Sequence, residues 1–184
     1  DVASSELVKN ICPGLSECAS AIGDAQVRNK GTIGGNVAHA DPGSDYPGAL
    51  VAFGATICLE SPSGVREIPA DEFFTGLFET NKSDIEIITA IKVPSFPLST
   101  YVKFPNPASR YAVVGVGVAL EMSGIKCKTI SIGITGVADH AFRASSTELI
   151  LKGSELSESD LDSAASMVTD GQEIMTDLVA SSEY

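Results

Sequence analysis

The sequence predicts an α+β fold, with helices and antiparallel strands in separate stretches of the chain. Apolar residues recur at the helical period near both ends, and they alternate with the strand period in the middle. Strands follow one another through short turns, so neighbouring strands are expected to be antiparallel. With 184 residues, 43% of them hydrophobic, the chain can form one domain or two small ones with a packed core.

The first half is predicted to contain helices followed by a small sheet. Pro13 begins the clearest helix, because proline is favoured at the first helical position, and Gly23-Asp24 ends it. The turn Ser61-Pro62-Ser63-Gly64 joins two alternating strands into a hairpin. The other predicted elements are a weak helix at 5–11, a short helix at 47–53 and a strand that ends at Pro94.

A proline-rich joint at residues 94–107 divides the predicted fold into residues 1–96 and 97–184. Beyond the joint, the pattern predicts two long antiparallel strands, Tyr111 to Met122 and Ile125 to Val137. Helices follow. Ser157 and Asp160 have the spacing of a capping box, and a last helix is predicted over residues 170–184.

The acidic composition excludes several classes of partner. A net charge of −12 argues against binding to nucleic acid and to an anionic membrane surface. The four cysteines lack metal-site spacing, which favours free buried thiols. No export signal or membrane-spanning run is recognisable, so residence in the cytoplasm is expected.

Residues 27–36 read Val-Arg-Asn-Lys-Gly-Thr-Ile-Gly-Gly-Asn and predict an anion site. Glycines with positive φ would let backbone N–H groups surround a phosphate or pyrophosphate, with Thr32 and Asn36 at the rim. Asp45 is placed to accept hydrogen bonds from a ribose. The alternative is a glycine-rich turn without a ligand. No P-loop is present, and Gly115-Val116-Gly117 belongs to a strand rather than a dinucleotide fingerprint.

The amino-acid sequences of several segments, in the same order along the chain, resemble the FAD-binding subunits of the molybdenum hydroxylases. This family includes the FAD-binding parts of carbon monoxide and xanthine dehydrogenases. The resemblance is most specific at residues 27–36 and the following Ala-His-Ala-Asp-Pro-Gly-Ser-Asp. It continues at residues 67–76, 84–94, Lys103, 109–112, 136–138, 143–144 and 148–153.

The resemblance implies a second FAD-binding subdomain at residues 1–96. A C-terminal domain with a three-stranded antiparallel sheet and a helical bundle would follow at 97–184. The FAD-contacting positions that it implies are Ile22, Thr32, Ile33, Gly34, Gly35, Asn36, Asp45, Ile88 and Lys103. Lys103 would stabilise negative charge on the reduced flavin. Arg28 and Lys30 either hold the loop or supply positive potential, and His39 is not assigned an acid–base role.

The resemblance also implies a heteromeric oxidoreductase. Partner subunits would carry molybdopterin and 2Fe–2S clusters, and electrons would pass through FAD to an external acceptor. The family's preceding FAD subdomain, which carries a Gly-Gly loop, is expected to complete the flavin site from outside these residues. Two alternatives stay open: an assembly module that keeps the fold without FAD, and a flavin subunit of the vanillyl-alcohol oxidase type.

Overall fold

The computed structural model describes residues 1–184, and its first quarter is helical. After a 3-10 turn at Val2–Ser4, the helices are α1 (Glu6–Ile11), α2 (Pro13–Ala21), α3 (Ala25–Lys30), α4 (Ile33–His39) and α5 (Asp45–Ala52). The predicted helices at 5–11, from Pro13 and at 47–53 are confirmed. Side-chain oxygens of Ser5, Asp24 and Thr32 accept backbone N–H groups at the starts of α1, α3 and α4, which explains where these helices begin.

The first sheet is antiparallel and has the order β2-β1-β5. Its strands are β1 (Thr56–Ser61), β2 (Gly64–Pro69) and β5 (Ile87–Lys92), so the predicted hairpin and the following strand are confirmed. Between β2 and β5 lie the one-turn helix α6 (Ala70–Phe73) and a small hairpin of β3 (Phe74–Gly76) and β4 (Glu79–Thr80). Phe73 and Phe74 are buried and pack edge to face, as core residues.

The second sheet is antiparallel with the order β6-β7-β8-β9. Its strands are β6 (Ser99–Pro105), β7 (Ala112–Ser123), β8 (Lys126–Thr135) and β9 (Phe142–Arg143). The short β9 adds a fourth strand to the three that were expected. Strand β6 occupies much of the predicted joint, since Pro105 stands at its end, where the missing N–H group does not interrupt the pairing.

Two helices, α7 (Ser145–Leu151) and α8 (Glu158–Ala165), pack against each other after the second sheet. Ser157 and Asp160 form the predicted capping box at the start of α8. The helix predicted over residues 170–184 is wrong, because this segment is irregular and has no α-helix. It lacks a buried apolar face, and a short helix without packing is marginal in water.

Helix α5 is buried along its whole length and joins the two halves of the molecule. It packs on β7 and β8, where a Cβ at Gly133 would lie 2.1 Å from the carbonyl oxygen of Gly48. The main core combines residues of α2, α5 and β1 with Tyr101, Ala119 and Ala141. This core therefore crosses the division predicted between residues 96 and 97, and a smaller core lies on the other face of the second sheet.

Cys12, Cys18, Cys58 and Cys127 are all free and buried, as predicted. None of the helices combines the length and the apolar character that crossing a bilayer requires.

Candidate functional site

The glycine-rich segment forms a helix start rather than the predicted loop. Gly34 and Gly35 lie within α4, and neither they nor Gly31 has a positive φ. The expectation that these glycines have positive φ is therefore wrong. Thr32 caps α4 by accepting the N–H group of Gly35 at 3.0 Å, and such a cap offsets the low helix propensity of two consecutive glycines.

The amino end of α4 has backbone donors without protein acceptors. The N–H groups of Thr32, Ile33 and Gly34 donate to no group in the protein. A Cβ built on Gly34 would meet nothing within 4 Å, so the backbone there is open to an approaching ligand. Free N–H groups at such a position attract negatively charged oxygens.

A cavity of about 560 Å³ adjoins this helix start. Of the predicted site residues, Ile22, Thr32, Ile33 and Asn36 line it. Arg28 and Lys30 of α3 line it too and bring positive charge. Arg28 also donates from Nη1 to the carbonyl oxygens of Ile22 and Gly23, at 2.8 and 3.3 Å, which ties α3 to the end of α2.

Asn36, one of the residues that line the cavity, has an unsatisfied polar atom. Its Nδ2 donates to Ser44 Oγ at 3.1 Å, but its Oδ1 is buried and has no hydrogen-bond partner. Buried polar atoms in folded proteins are nearly always paired, and an orphan suggests a missing ligand or water. Together with the free N–H groups and the open space at Gly34, this atom fits an anionic, hydroxyl-bearing ligand such as a dinucleotide.

Asp45 and Lys103, both predicted as site residues, form a buried ion pair. Lys103 Nζ lies 2.8 Å from Asp45 Oδ2, and the two side chains are 6% and 5% exposed. Lys103 also donates to the carbonyl oxygen of Ala21 at 3.0 Å. Burial raises the pKa of Asp45 above its ordinary value, and the hydrogen bonds from Lys103 and Tyr101 oppose this shift.

The remaining predicted residues lie elsewhere in the same region. Gly35 faces the Thr32 cap, and Ile88 is half-buried on β5, where it packs against the main core. Helix α4 packs against β5, so Ile88 belongs to the neighbourhood of the helix start without lining the cavity. His39 is exposed and its ring lies 5.2 Å from that of Phe78.

The sequence analysis missed Tyr101 and Tyr46. Tyr101 Oη donates to Asp45 Oδ1 at 2.7 Å, and Tyr46 lines the cavity beside Ile22. A signal for Tyr101 was available, since it stands two residues before Lys103 and residues at this spacing share one face of a strand. The prolines concealed that strand.

An open helix start beside a cavity lined by two cationic side chains suits a negatively charged ligand. Two family models match nearly the whole chain. Residues 1–96 match the FAD binding domain in molybdopterin dehydrogenase, and residues 99–184 match the CO dehydrogenase flavoprotein C-terminal domain. The chain belongs to this family of molybdenum hydroxylase flavoproteins, which confirms the resemblance.

Individual relatives agree with the family models. The glyceraldehyde dehydrogenase medium chain of Sulfolobus acidocaldarius is 38% identical over 92% of this chain and 61% of its own length. The carbon monoxide dehydrogenase medium chain of Hydrogenophaga pseudoflava is 36% identical over 100% of this chain and 65% of its own length. This chain thus spans less than two thirds of these relatives.

The fold is the same as in a solved relative. A structure of carbon monoxide dehydrogenase from Hydrogenophaga pseudoflava, lacking the Mo-pyranopterin moiety of the molybdenum cofactor, superposes with a TM-score of 0.95 at 37% identity. The superposition covers 100% of this chain and 65% of that one. The predicted α+β architecture is therefore confirmed.

Proposed function

We propose that this chain holds FAD and relays electrons through it within a molybdenum hydroxylase. The observation that carries the proposal is the start of α4. There, the N–H groups of Thr32, Ile33 and Gly34 have no protein acceptor and adjoin a cavity with two cationic side chains. These features suit a diphosphate, which carries two negative charges and many acceptor oxygens.

The residues around the start of α4 would contact different parts of the FAD molecule. The three N–H groups and the charges of Arg28 and Lys30 would hold the diphosphate, and Gly34 leaves room for it. Asn36 Oδ1 would accept a hydrogen bond from a hydroxyl or amino group of the ligand. Ile22 supplies an apolar wall, and Ile33 adds a second apolar surface.

Lys103 and Ile88 are proposed to act near the flavin ring, and Asp45 to contact the cofactor, as the family resemblance implies. FAD, when bound, supplies a ring system that takes up electrons and passes them on. The ammonium group of Lys103 lies 2.8 Å from Asp45, and a cation near the ring stabilises negative charge. Gly35 contributes by leaving the Thr32 cap undisturbed, because its own Cβ would lie 2.9 Å from Thr32 Oγ1.

The proposal extends to an assembly. The relatives of this chain include medium chains of dehydrogenases. We propose that it assembles in the cytoplasm with partner subunits that carry molybdopterin and 2Fe–2S clusters. Residues 1–96 would act as the second FAD-binding subdomain and residues 97–184 as the C-terminal domain. A preceding FAD subdomain would complete the flavin site.

The test is Gly34→Val in the assembled complex. Nothing lies within 4 Å of a Cβ at this position, so the protein accommodates the side chain and only a bound ligand would clash. We expect the flavin absorption of the purified complex to fall at least tenfold while its subunit composition stays unchanged. Ala165→Val, which adds the same side chain to an exposed position of α8, is the matched control.

The assembly-module alternative predicts the opposite result. Under it, Gly34→Val leaves both flavin content and redox activity of the complex as they were. Retention of flavin in that variant, or absence of flavin from the unmodified complex, would refute the FAD-binding proposal.

A further inference from the structure

We propose that Tyr101 is a positioning residue for the Asp45–Lys103 ion pair, and that through this pair it sets the electrostatic environment of the flavin. The second half of the statement rests on the proposed function. The first half concerns only this chain and can be tested without a cofactor.

The hydroxyl of Tyr101 fixes the orientation of the Asp45 carboxylate. It donates to Oδ1 at 2.7 Å, while Lys103 Nζ donates to Oδ2 at 2.8 Å. Each carboxylate oxygen therefore has its own side-chain donor. Lys103 uses a second hydrogen on the carbonyl oxygen of Ala21, so one of its three N–H bonds remains for another acceptor.

Tyr101 is itself held firmly in place. Its backbone N–H group donates to Glu17 Oε2 at 2.9 Å, and the hydroxyl of Thr100 donates to the same oxygen at 2.8 Å. Opposite the ring, Gly115 leaves the space that the hydroxyl needs, because a Cβ there would lie 2.1 Å from Tyr101 Oη. The phenol therefore acts as a fixed donor to Asp45.

The other titratable groups near Asp45 do not replace this donor. Cys18 of α2 and Tyr46 of α5 are near enough for the charge of Asp45 to act on them. Burial, and then the negative charges nearby, raises the pKa of each of these groups, which keeps both of them uncharged near neutral pH. Neither donates a hydrogen bond to Asp45. Lys103 and Tyr101 are thus the two side chains that compensate the carboxylate.

Removing the hydroxyl has a predictable electrostatic sign. Oδ1 would lose its donor, and the carboxylate charge would be less compensated. As long as Asp45 stays ionised, the potential around the Asp45–Lys103 pair would become more negative, because the hydroxyl dipole no longer offsets part of the carboxylate charge. A flavin in that potential would be harder to reduce.

The first experiment measures the pKa of the Asp45 carboxyl in the full chain by carbon NMR. Tyr101→Phe should make protonation of Asp45 about tenfold more favourable, as expected for losing a hydrogen bond to a charged group. Tyr46→Phe, which removes a neighbouring hydroxyl that makes no hydrogen bond to Asp45, should leave the pKa of Asp45 unchanged. Incorporating 3-fluorotyrosine at position 101 keeps the ring and strengthens the donor, so it should shift the pKa the other way.

The second experiment measures the flavin reduction potential in the assembled complex. Tyr101→Phe should lower the two-electron equilibrium constant for reduction about tenfold, equivalent to about 30 mV. In an Asp45→Asn background the same substitution should change nothing further, because Tyr101 acts through the carboxylate.

The possible failures are distinguishable. If neither Tyr101→Phe nor the fluorotyrosine moves the Asp45 pKa, the positioning role is wrong, whether or not flavin binds. If the pKa moves but the potential does not, the influence on the flavin is wrong. Absence of flavin from the unmodified complex overturns the proposed function and the flavin half of this inference, while the NMR result still decides the positioning role.

Discussion

Polar groups at the start of α4 lack partners, whereas those of the Asp45 cluster (Asp45, Tyr101 and Lys103) are paired within the protein. At the helix start, three backbone N–H groups and Asn36 Oδ1 have no protein partner. In the Asp45 cluster, both carboxylate oxygens and two of the lysine hydrogens are bound within the protein. The two regions are connected through Ser44, which accepts a hydrogen bond from Asn36 and directly precedes Asp45 in the chain.

This contrast supports our proposal that the start of α4 binds a ligand, whereas the Asp45 cluster adjusts the electrostatic environment. Unpaired donors beside a cavity have free energy to gain from a ligand, whereas a fully paired cluster has little. A buried charge pair acts instead through its field and through its geometry. We therefore expect substitutions in the Asp45 cluster to change stability strongly, and substitutions at the helix start to change ligand binding with little effect on stability.

Breaking the ion pair should have the largest effect. Asp45→Ala leaves the Lys103 ammonium buried without its counter-charge, which typically costs about 3–5 kcal/mol. The free energy of unfolding, measured with urea, should fall by that amount. Glu67→Ala breaks the exposed Lys92–Glu67 pair and should change it little. Equal losses in the two variants would show that the buried pair has no special importance.

Substitutions at two glycines compare a backbone position in close contact with its neighbours, Gly133, with one that faces open space, Gly34. A Cβ at Gly133 would overlap the carbonyl of Gly48, so Gly133→Ala should push α5 off the second sheet and cost about 1–3 kcal/mol. Gly34→Ala meets open space in a helix and should raise stability by up to about 1 kcal/mol. Thermal unfolding of both variants measures the difference, and a destabilised Gly34→Ala would contradict the open backbone.

A half-exposed ion pair should give the smallest effect, visible through pH. Hydrogen bonds from Arg66, and then from the N–H group of Ser83, lower the pKa of Glu86 from 4.5 to about 2. Because the folded-state pKa lies below the unfolded one, the stabilisation is present above about pH 4.5 and is lost as the pH falls towards 2. Glu86→Gln should be less stable at pH 6 and should converge with the unmodified protein near pH 2.

Urea unfolding at several pH values checks this convergence. High salt should reduce the difference at pH 6, since Arg66 is partly exposed and its charge is screened. A constant difference between the two proteins at all pH values would rule out the Glu86 charge as its source.

Sequence patterns predicted most of the fold where local signals agreed with tertiary packing. The Ser61–Gly64 turn between alternating strands and the capping box at Ser157 are examples. The sequence patterns failed where the interpretation rested on a single type of residue. Glycines suggested a loop at residues 31–36 although Thr32 caps a helix there. Prolines concealed β6 although its only proline, Pro105, is its last residue.

The site was predictable only in part, because its two regions have different origins. The helix start lies within a few consecutive residues, so its composition revealed it. The Asp45 cluster joins residues 56 and 58 positions apart, and no local pattern reports such a pairing. Family resemblance indicated Asp45 and Lys103 as separate positions, but it did not reveal that they pair or that Tyr101 donates to the second oxygen of Asp45.

The near-contact of Gly48 with Gly133 has a consequence for how this protein can change over evolution. A helix and a strand that touch backbone to backbone leave no space for a side chain on either partner. A recombinant that took residues 1–96 from one relative and the remainder from another would inherit two surfaces shaped in different lineages. We expect such hybrids to succeed only when both parents keep the same small residues at this crossing, so that the two segments are inherited as a matched pair.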